Sequence, residues 1–276
     1  MAFAANSVLC RVALGGHSID AATFVLVRLA SGAAVLLALN ARSVRSIRLA
    51  RDWQPAGMLF WYAIAFSFAY RSLGTGTGAL ILFGCVQSTM LVAAMHAGER
   101  LRGLESLGLL LAIGGLAWLV SPGLTAPAPI GSLLMASAGV AWGLYSLRGR
   151  GTRDPIGDTT RNFVLATVPA IAVGMLASLA LRNVHVSTLG LSLAVVSGAL
   201  SSGLGYVVWF AALRGLTGVR AALVQLVVPM LAATGGVVFL SERLSLRLVL
   251  SAALILGGVG LALAQHARSA ARPGEA

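Results

Sequence analysis

The chain has 276 residues, 58% of them hydrophobic and only 10% charged, with 33 glycines and a mean hydropathy of +0.90. A soluble domain carries about 25% charged residues and could not hide this much apolar surface, so lipid must solvate much of the chain. The formal net charge of +12 would suit a nucleic-acid binder in a soluble protein. Here the cations, all arginine, are scattered between apolar runs, where they orient helices; no nucleic-acid partner is expected.

A membrane-crossing helix needs about 20 apolar residues. Runs near 1–15, 21–40, 54–71, 76–96, 104–121, 129–147, 162–181, 187–212, 219–240 and 246–265 meet or approach that length. They are continuously apolar, without the alternation a barrel strand requires, so ten helices are predicted. With the N-terminus in the cytoplasm, fourteen arginines fall on the cytoplasmic side. Four, Arg71, Arg182, Arg243 and Arg247, fall opposite, and Arg11 and Arg28 lie within spans. This bias supports the helix count and predicts that both termini are cytoplasmic; the expected location is the inner membrane of a bacterium.

The apolar pattern is written twice. Residues 71–116 align without a gap on residues 214–259, a constant displacement of 143. The alignment sets Arg71 on Arg214, Ala79-Leu80 on Ala222-Leu223, Glu99-Arg100-Leu101 on Glu242-Arg243-Leu244, and Gly114-Gly115 on Gly257-Gly258. Five spans per half is an odd number, so the second half enters the membrane upside down relative to the first. Inverted repeats around a central site are the architecture of transporters working by alternating access. The expected fold is therefore an all-α polytopic membrane protein, with two inverted five-helix repeats around a central cavity. The boundaries are 1–123 and 124–267, with a disordered cytoplasmic tail over 268–276. The linker lies in the proline-rich stretch Ser121–Pro129.

These features resemble the EamA-type members of the drug/metabolite transporter superfamily. The marks are Gly98-Glu99-Arg100-Leu101 and Ser241-Glu242-Arg243-Leu244, with Pro229 in span nine, the Gly-Gly pairs of spans five and ten, and Arg28 in span two. The first-half counterpart of Pro229 is Val86, so one half departs from the pattern. The resemblance implies a ten-helix basket around a central cavity. It also implies export of amino acids, related metabolites or drugs; a small-molecule substrate and no cofactor are expected. Function as a monomer is expected.

Polar groups in a bilayer tend to face the bundle interior or a watery cavity. Gln87 and Gln225 lie in corresponding helices of the two halves, and either lines the cavity or bonds helix to helix. Tyr62, Phe66 and Tyr70 are spaced four apart on one helical face, and the displacement sets Phe66 on Trp209. With Trp142, Tyr145 and Tyr206 they form a candidate aromatic lining; the alternative is an interfacial belt, the preferred reading for Tyr70. Asn6 is a further substrate-facing candidate. Arg11 and Arg28 are read as snorkelling toward the external ends, and Arg28 as a structural clamp to Asp20 or a backbone carbonyl in preference to a partner for a substrate carboxylate. Glu99 and Glu242 are read as structural, turn-forming or ion-pairing residues. Gly76 is a candidate hinge and Pro229 a candidate gate; Gly139 and Gly143 are expected to serve close helix packing.

Catalysis is not expected. His17, His96, His185 and His266 sit at span ends or loops, and no HExxH or phosphate-binding loop occurs. Ser201 and Ser202 lack an evident base, and Cys10 and Cys85 form no metal set. A channel would need charged rings or a repeated filter. No carboxylate falls at mid-membrane, which argues for facilitated diffusion, exchange or coupling by another route. The expected function is export of small metabolites, amino acids first; uptake by the same fold is the alternative reading, and an intramembrane enzyme a distant one.

Overall fold

The computed structural model describes residues 1–47, 49–96, 103–123, 126–180, 185–214 and 218–270. Ten helices follow one another: α1 Ala2–Gly15, α2 Ala21–Asn40, α3 Leu49–Ala69, α4 Thr75–His96 and α5 Gly103–Val120 form the first half. The second comprises α6 Pro129–Gly149, α7 Pro155–Ala180, α8 Thr188–Leu213, α9 Gly218–Leu240 and α10 Leu246–Ala270. Among the described residues the only β-type pairing is an isolated bridge between Ile19 and Val186.

Local chemistry explains most boundaries. Asp20 caps α2 by accepting from the Thr23 amide at 2.9 Å. Ser187 does the same for α8 through Gly190, at 3.0 Å. Pro129 opens α6 at the position where its missing N–H costs nothing. Two helices start earlier than the apolar runs suggest, at Leu49 and Pro155 instead of 54 and 162. Their polar first turns stay helical because Asp52 of α3 meets Arg161 of α7 at 3.5 Å, while Arg161 also pairs with Asp158.

The helices are apolar on both faces. Large side chains such as Leu179, Ile130, Phe239 and Leu246 are more than 70% exposed, a surface that only lipid can solvate. The chain is a multi-pass membrane protein. Its main interhelical contacts survive exchange of helices 1–5 with 6–10. The contact α3·α6 becomes α8·α1, α4·α6 becomes α9·α1, and α2·α8 becomes α7·α3. The pairs α2·α7, α4·α9 and α5·α10 map onto themselves. Such invariance is what a pseudo-two-fold relation between two five-helix halves produces.

Glycines set the closest crossings. At α5·α10 a Cβ on Gly258 would lie 2.5 Å from the Gly108 carbonyl oxygen. At α4·α6 a Cβ on Gly139 would lie 2.5 Å from the Leu82 carbonyl oxygen, and one on Gly143 3.0 Å from the Thr89 Cβ. At α2·α8 a Cβ on Gly198 would collide with the carbonyl of Arg28, and one on Gly203 would stand 3.3 Å from the Gly32 Cα. That last crossing brings Arg28 to the second half of the molecule.

Candidate central binding site

Arg28 lies seven residues into α2, about 10 Å along the helix axis from its start. It is buried at 1% exposure and therefore does not snorkel. Its Nε donates to Ser202 Oγ at 2.9 Å, and its Nη2 to Tyr206 OH at 3.0 Å and Tyr62 OH at 3.4 Å. Asn6 extends the set: its Nδ2 donates to Tyr62 OH at 3.4 Å, and its Oδ1 accepts from Ser197 Oγ at 2.6 Å. The cluster thus joins α1, α2 and α3 of the first half to α8 of the second. Asp20, expected as the partner of Arg28, spends its carboxylate on the α2 N-terminus instead.

The two serines share this centre because α8 changes pitch between Ser197 and Leu204, where it is a π-helix. Five α-helical steps would leave Ser197 and Ser202 about 140° apart. Bonding from i to i+5 brings residues five apart to nearly one face, and such segments are frequent at functional sites.

Around the guanidinium stands an aromatic shell. Its Cζ lies 5.3 Å from the Tyr62 ring centroid and 5.2 Å from that of Phe66. At this burial a cation–π contact is worth up to about 2 kcal/mol. Trp142 stacks on Tyr206 at 4.6 Å, on Tyr62 at 5.0 Å and on Tyr145 at 5.5 Å. Phe3 of α1 closes the ring set, 5.4 Å from Trp142 and 5.6 Å from Trp209. Tyr145 OH accepts from Asn162 at 3.2 Å. Nearby in the helix order, Gln87 of α4 donates to Gln225 of α9 at 3.4 Å. Pro229 has no N–H to offer the carbonyl of Gln225, four residues earlier. In this conformation the middle of the bundle is filled by these rings.

Three neutral oxygens and two rings moderate the cost of burying Arg28, yet none carries a negative charge. A cation at the centre of a spanning helix costs about 2.5–3.5 kcal/mol on insertion scales. Arg28 Nη1, Trp142 Nε1, Trp209 Nε1 and Gln225 Nε2 are buried without an acceptor, and all four are donors. Four N–H donors of this region are therefore left without a partner.

Each end of the bundle carries a charged clasp. At the end formed by the α1–α2 and α3–α4 corners, Glu242 caps α4. Its oxygens accept from the Thr75 amide at 2.8 and 3.0 Å and from Thr75 Oγ1 at 3.1 Å. Arg11 ties Glu242 at 3.4 Å to the Tyr70 carbonyl, 2.9 Å away. Glycine at 236 leaves room for this reach, since a Cβ there would stand 2.5 Å from Glu242 Oε2. At the arginine-rich end, Asp52, Arg161 and Asp158 form the second clasp; Thr152 bonds Asp158, and Arg214 donates to the Thr152 carbonyl at 3.0 Å.

Asn6, Tyr62, Phe66, Trp142, Tyr145, Tyr206 and Trp209 come together in one buried aromatic and polar cluster, with Gln87 and Gln225 bonded to each other. Tyr70 departs from its interfacial reading: it is fully buried, with its OH donating to the Thr75 carbonyl at 3.3 Å. Arg28 moves from the periphery to the hub. Gly76 and Pro229 both line an apolar groove of about 420 Å³ between α4, α9 and α10, away from Arg28. A Cβ on Gly76 would press on Ala233 at 2.9 Å, a close-packing contact. Glu99 lies outside the described residues. Phe3, Ser197 and Ser202 were missed as site residues, and only the lone arginine in an apolar span could have pointed to them. Among the described residues no His, Cys, Asp and Glu side chains gather into a metal-holding set.

Comparison with known proteins agrees with this architecture. The uncharacterized protein PA1977 of Pseudomonas aeruginosa is 49% identical over 278 residues, spanning 99% of this chain and 95% of its own. A crystal structure of a protein superposes with a TM-score of 0.66, covering 97% of this chain and 96% of its own; at 22% identity the likeness concerns fold alone. Residues 129–264, the second five-helix half, match the EamA-like transporter family. The chain belongs to the EamA-like transporter family of the drug/metabolite transporter superfamily, whose members are membrane transporters of small molecules.

Proposed function

We propose that this chain is a secondary transporter that exports small metabolites, amino acids foremost, across the cytoplasmic membrane by alternating access. The observation that carries the reading is the buried centre: an arginine, two tyrosines, an asparagine and two serines, contributed by both halves and walled by aromatic rings. A mostly apolar setting with a few convergent polar groups is the usual form of a small-molecule site, and the rings that fill this one would part to admit a solute. The two clasps, one at each end, supply contacts that a change of access would break in turn. The halves 1–123 and 124–267 are the rocking units, both termini face the cytoplasm, and the protein works as a monomer.

Proteoliposomes preloaded with labelled amino acids, assayed with and without a pH gradient, test this. Saturable efflux or counterflow is expected. Gln87→Ala and Gln225→Ala should lower that flux while leaving folded, monodisperse protein. Absence of saturable flux for every amino acid and every cationic drug in the panel would overturn the reading, and wild-type rates in both variants would remove the glutamines from the site.

A further inference from the structure

We propose, resting on the transporter reading above, that Arg28 is the anchor for a carboxylate on the transported solute. The recognised group is an oxyanion carried on a compact apolar body, and the solute's ammonium, where it has one, is not required. Three observations converge on this. Arg28 is buried at 1% exposure, and none of the ion pairs among the described residues includes it. The other two buried charges, Asp52 and Arg161, pair with each other at one end of the bundle. The guanidinium uses Nε and Nη2 on neutral hydroxyls and leaves Nη1, with its two protons, without an acceptor.

The geometry suits an oxyanion. Nε and Nη2 are taken up by hydroxyls, so a carboxylate would meet the guanidinium through the two free protons of Nη1, a charge-assisted contact on one nitrogen. The phenols of Tyr62 and Tyr206 accept from Nη2 and also bond to each other, which leaves one phenol proton to donate to the same ligand. Trp142 Nε1, another orphaned donor, sits on the ring that stacks against both phenols. Charge balance points the same way: a monoanion makes the centre neutral, whereas an amine would add a second cation beside Arg28.

Four probes with one isobutyl body decide the matter in proteoliposomes: 4-methyl-2-oxopentanoate, leucine, leucinamide and isoamylamine. Saturable flux is expected for the two carboxylates, with the amide and the amine at least about 100-fold lower in kcat/KM, as for a site whose buried donors go unpaired. Arg28→Gln should abolish carboxylate flux and bring the acid-to-amide ratio toward one. Arg28→Lys should restore the preference at a raised KM, a recovery that a purely structural arginine would not give. The wild-type probe comparison needs no variant, so a misfolded Arg28→Gln leaves the test intact. Leucinamide or isoamylamine carried as well as the acids, or cationic drugs carried with no carboxylate carried, overturns the anchor while the transporter reading stands. An Arg28→Gln protein that still prefers the acids also overturns it. No flux for these probes or for the wider panel removes the transporter reading, and the anchor with it.

Discussion

Glu242 offers the sharpest test of how the corners hold the bundle. Its carboxylate reaches from the α9–α10 corner to the N-terminus of α4, where it meets the Thr75 amide, Thr75 Oγ1 and Arg11. Glu242→Gln keeps an oxygen for the Thr75 amide but removes the charge. The loss is the charge–dipole term, about 0.5–1 kcal/mol, plus an ion pair about one-fifth exposed, discounted to about 0.5–1 kcal/mol by solvent screening. Glu242→Ala also removes the cap itself, a further cost of about 1–2 kcal/mol. The expected destabilisation is thus about 1.5 kcal/mol for the amide and about 3 kcal/mol for the alanine. Thermal unfolding in detergent micelles, followed by tryptophan fluorescence, reads the order of the three proteins. An Arg11→Met, Glu242→Ala double-mutant cycle then isolates the ion pair, with a coupling near 0.5–1 kcal/mol expected. Equal midpoints for Glu242→Gln and Glu242→Ala, or both within error of wild type, would refute the capping role.

Two further predictions address the crossing and the topology. Gly198→Ala should destabilise the protein by about 1–3 kcal/mol and depress flux, because the new methyl meets the Arg28 backbone carbonyl and must push α2 from α8; an unchanged melting midpoint would show that the crossing has slack. A cysteine at Arg243 should react with a membrane-impermeant maleimide in intact cells, whereas one at Arg150 should react only after permeabilisation. Equal labelling of both in intact cells would rule out the opposed corners. Both native cysteines are buried, so background labelling should stay low.

The apolar runs locate all ten helices because hydrocarbon thickness fixes length, and eight of the ten begin within a residue of the expected start. What failed at α3 and α7 was the assumption that polar residues end a span. Asp52, Asp158 and Arg161 stay helical by pairing with one another, which hydropathy does not record. The aromatic residues of the centre were legible through the four-residue spacing of Tyr62 and Phe66 and through the repeat that sets Phe66 on Trp209. Phe3 was not, because no apolar run distinguishes a lipid-facing ring from a central one when both faces of a helix are greasy. Ser197 and Ser202 were hidden for a different reason: at α-helical pitch they diverge, and only the π segment aligns them. From the sequence Arg28 reads as peripheral, since snorkelling is the usual fate of an arginine near a span end. Its burial follows from the glycines at 32, 198 and 203, which let α8 come close enough to supply hydroxyls.

An unbalanced guanidinium within the hydrocarbon layer also makes the empty protein a voltage-responsive device. A full elementary charge carried across the membrane exchanges about 2.3 kcal/mol with every 100 mV, and Arg28 exchanges the fraction of that set by how far it travels through the field. In the export cycle proposed above, an interior-negative potential would draw the unloaded arginine toward the cytoplasmic face and so favour resetting the carrier. A centre neutralised by a monoanion would feel no such pull, whereas a zwitterionic cargo would leave the charge in place.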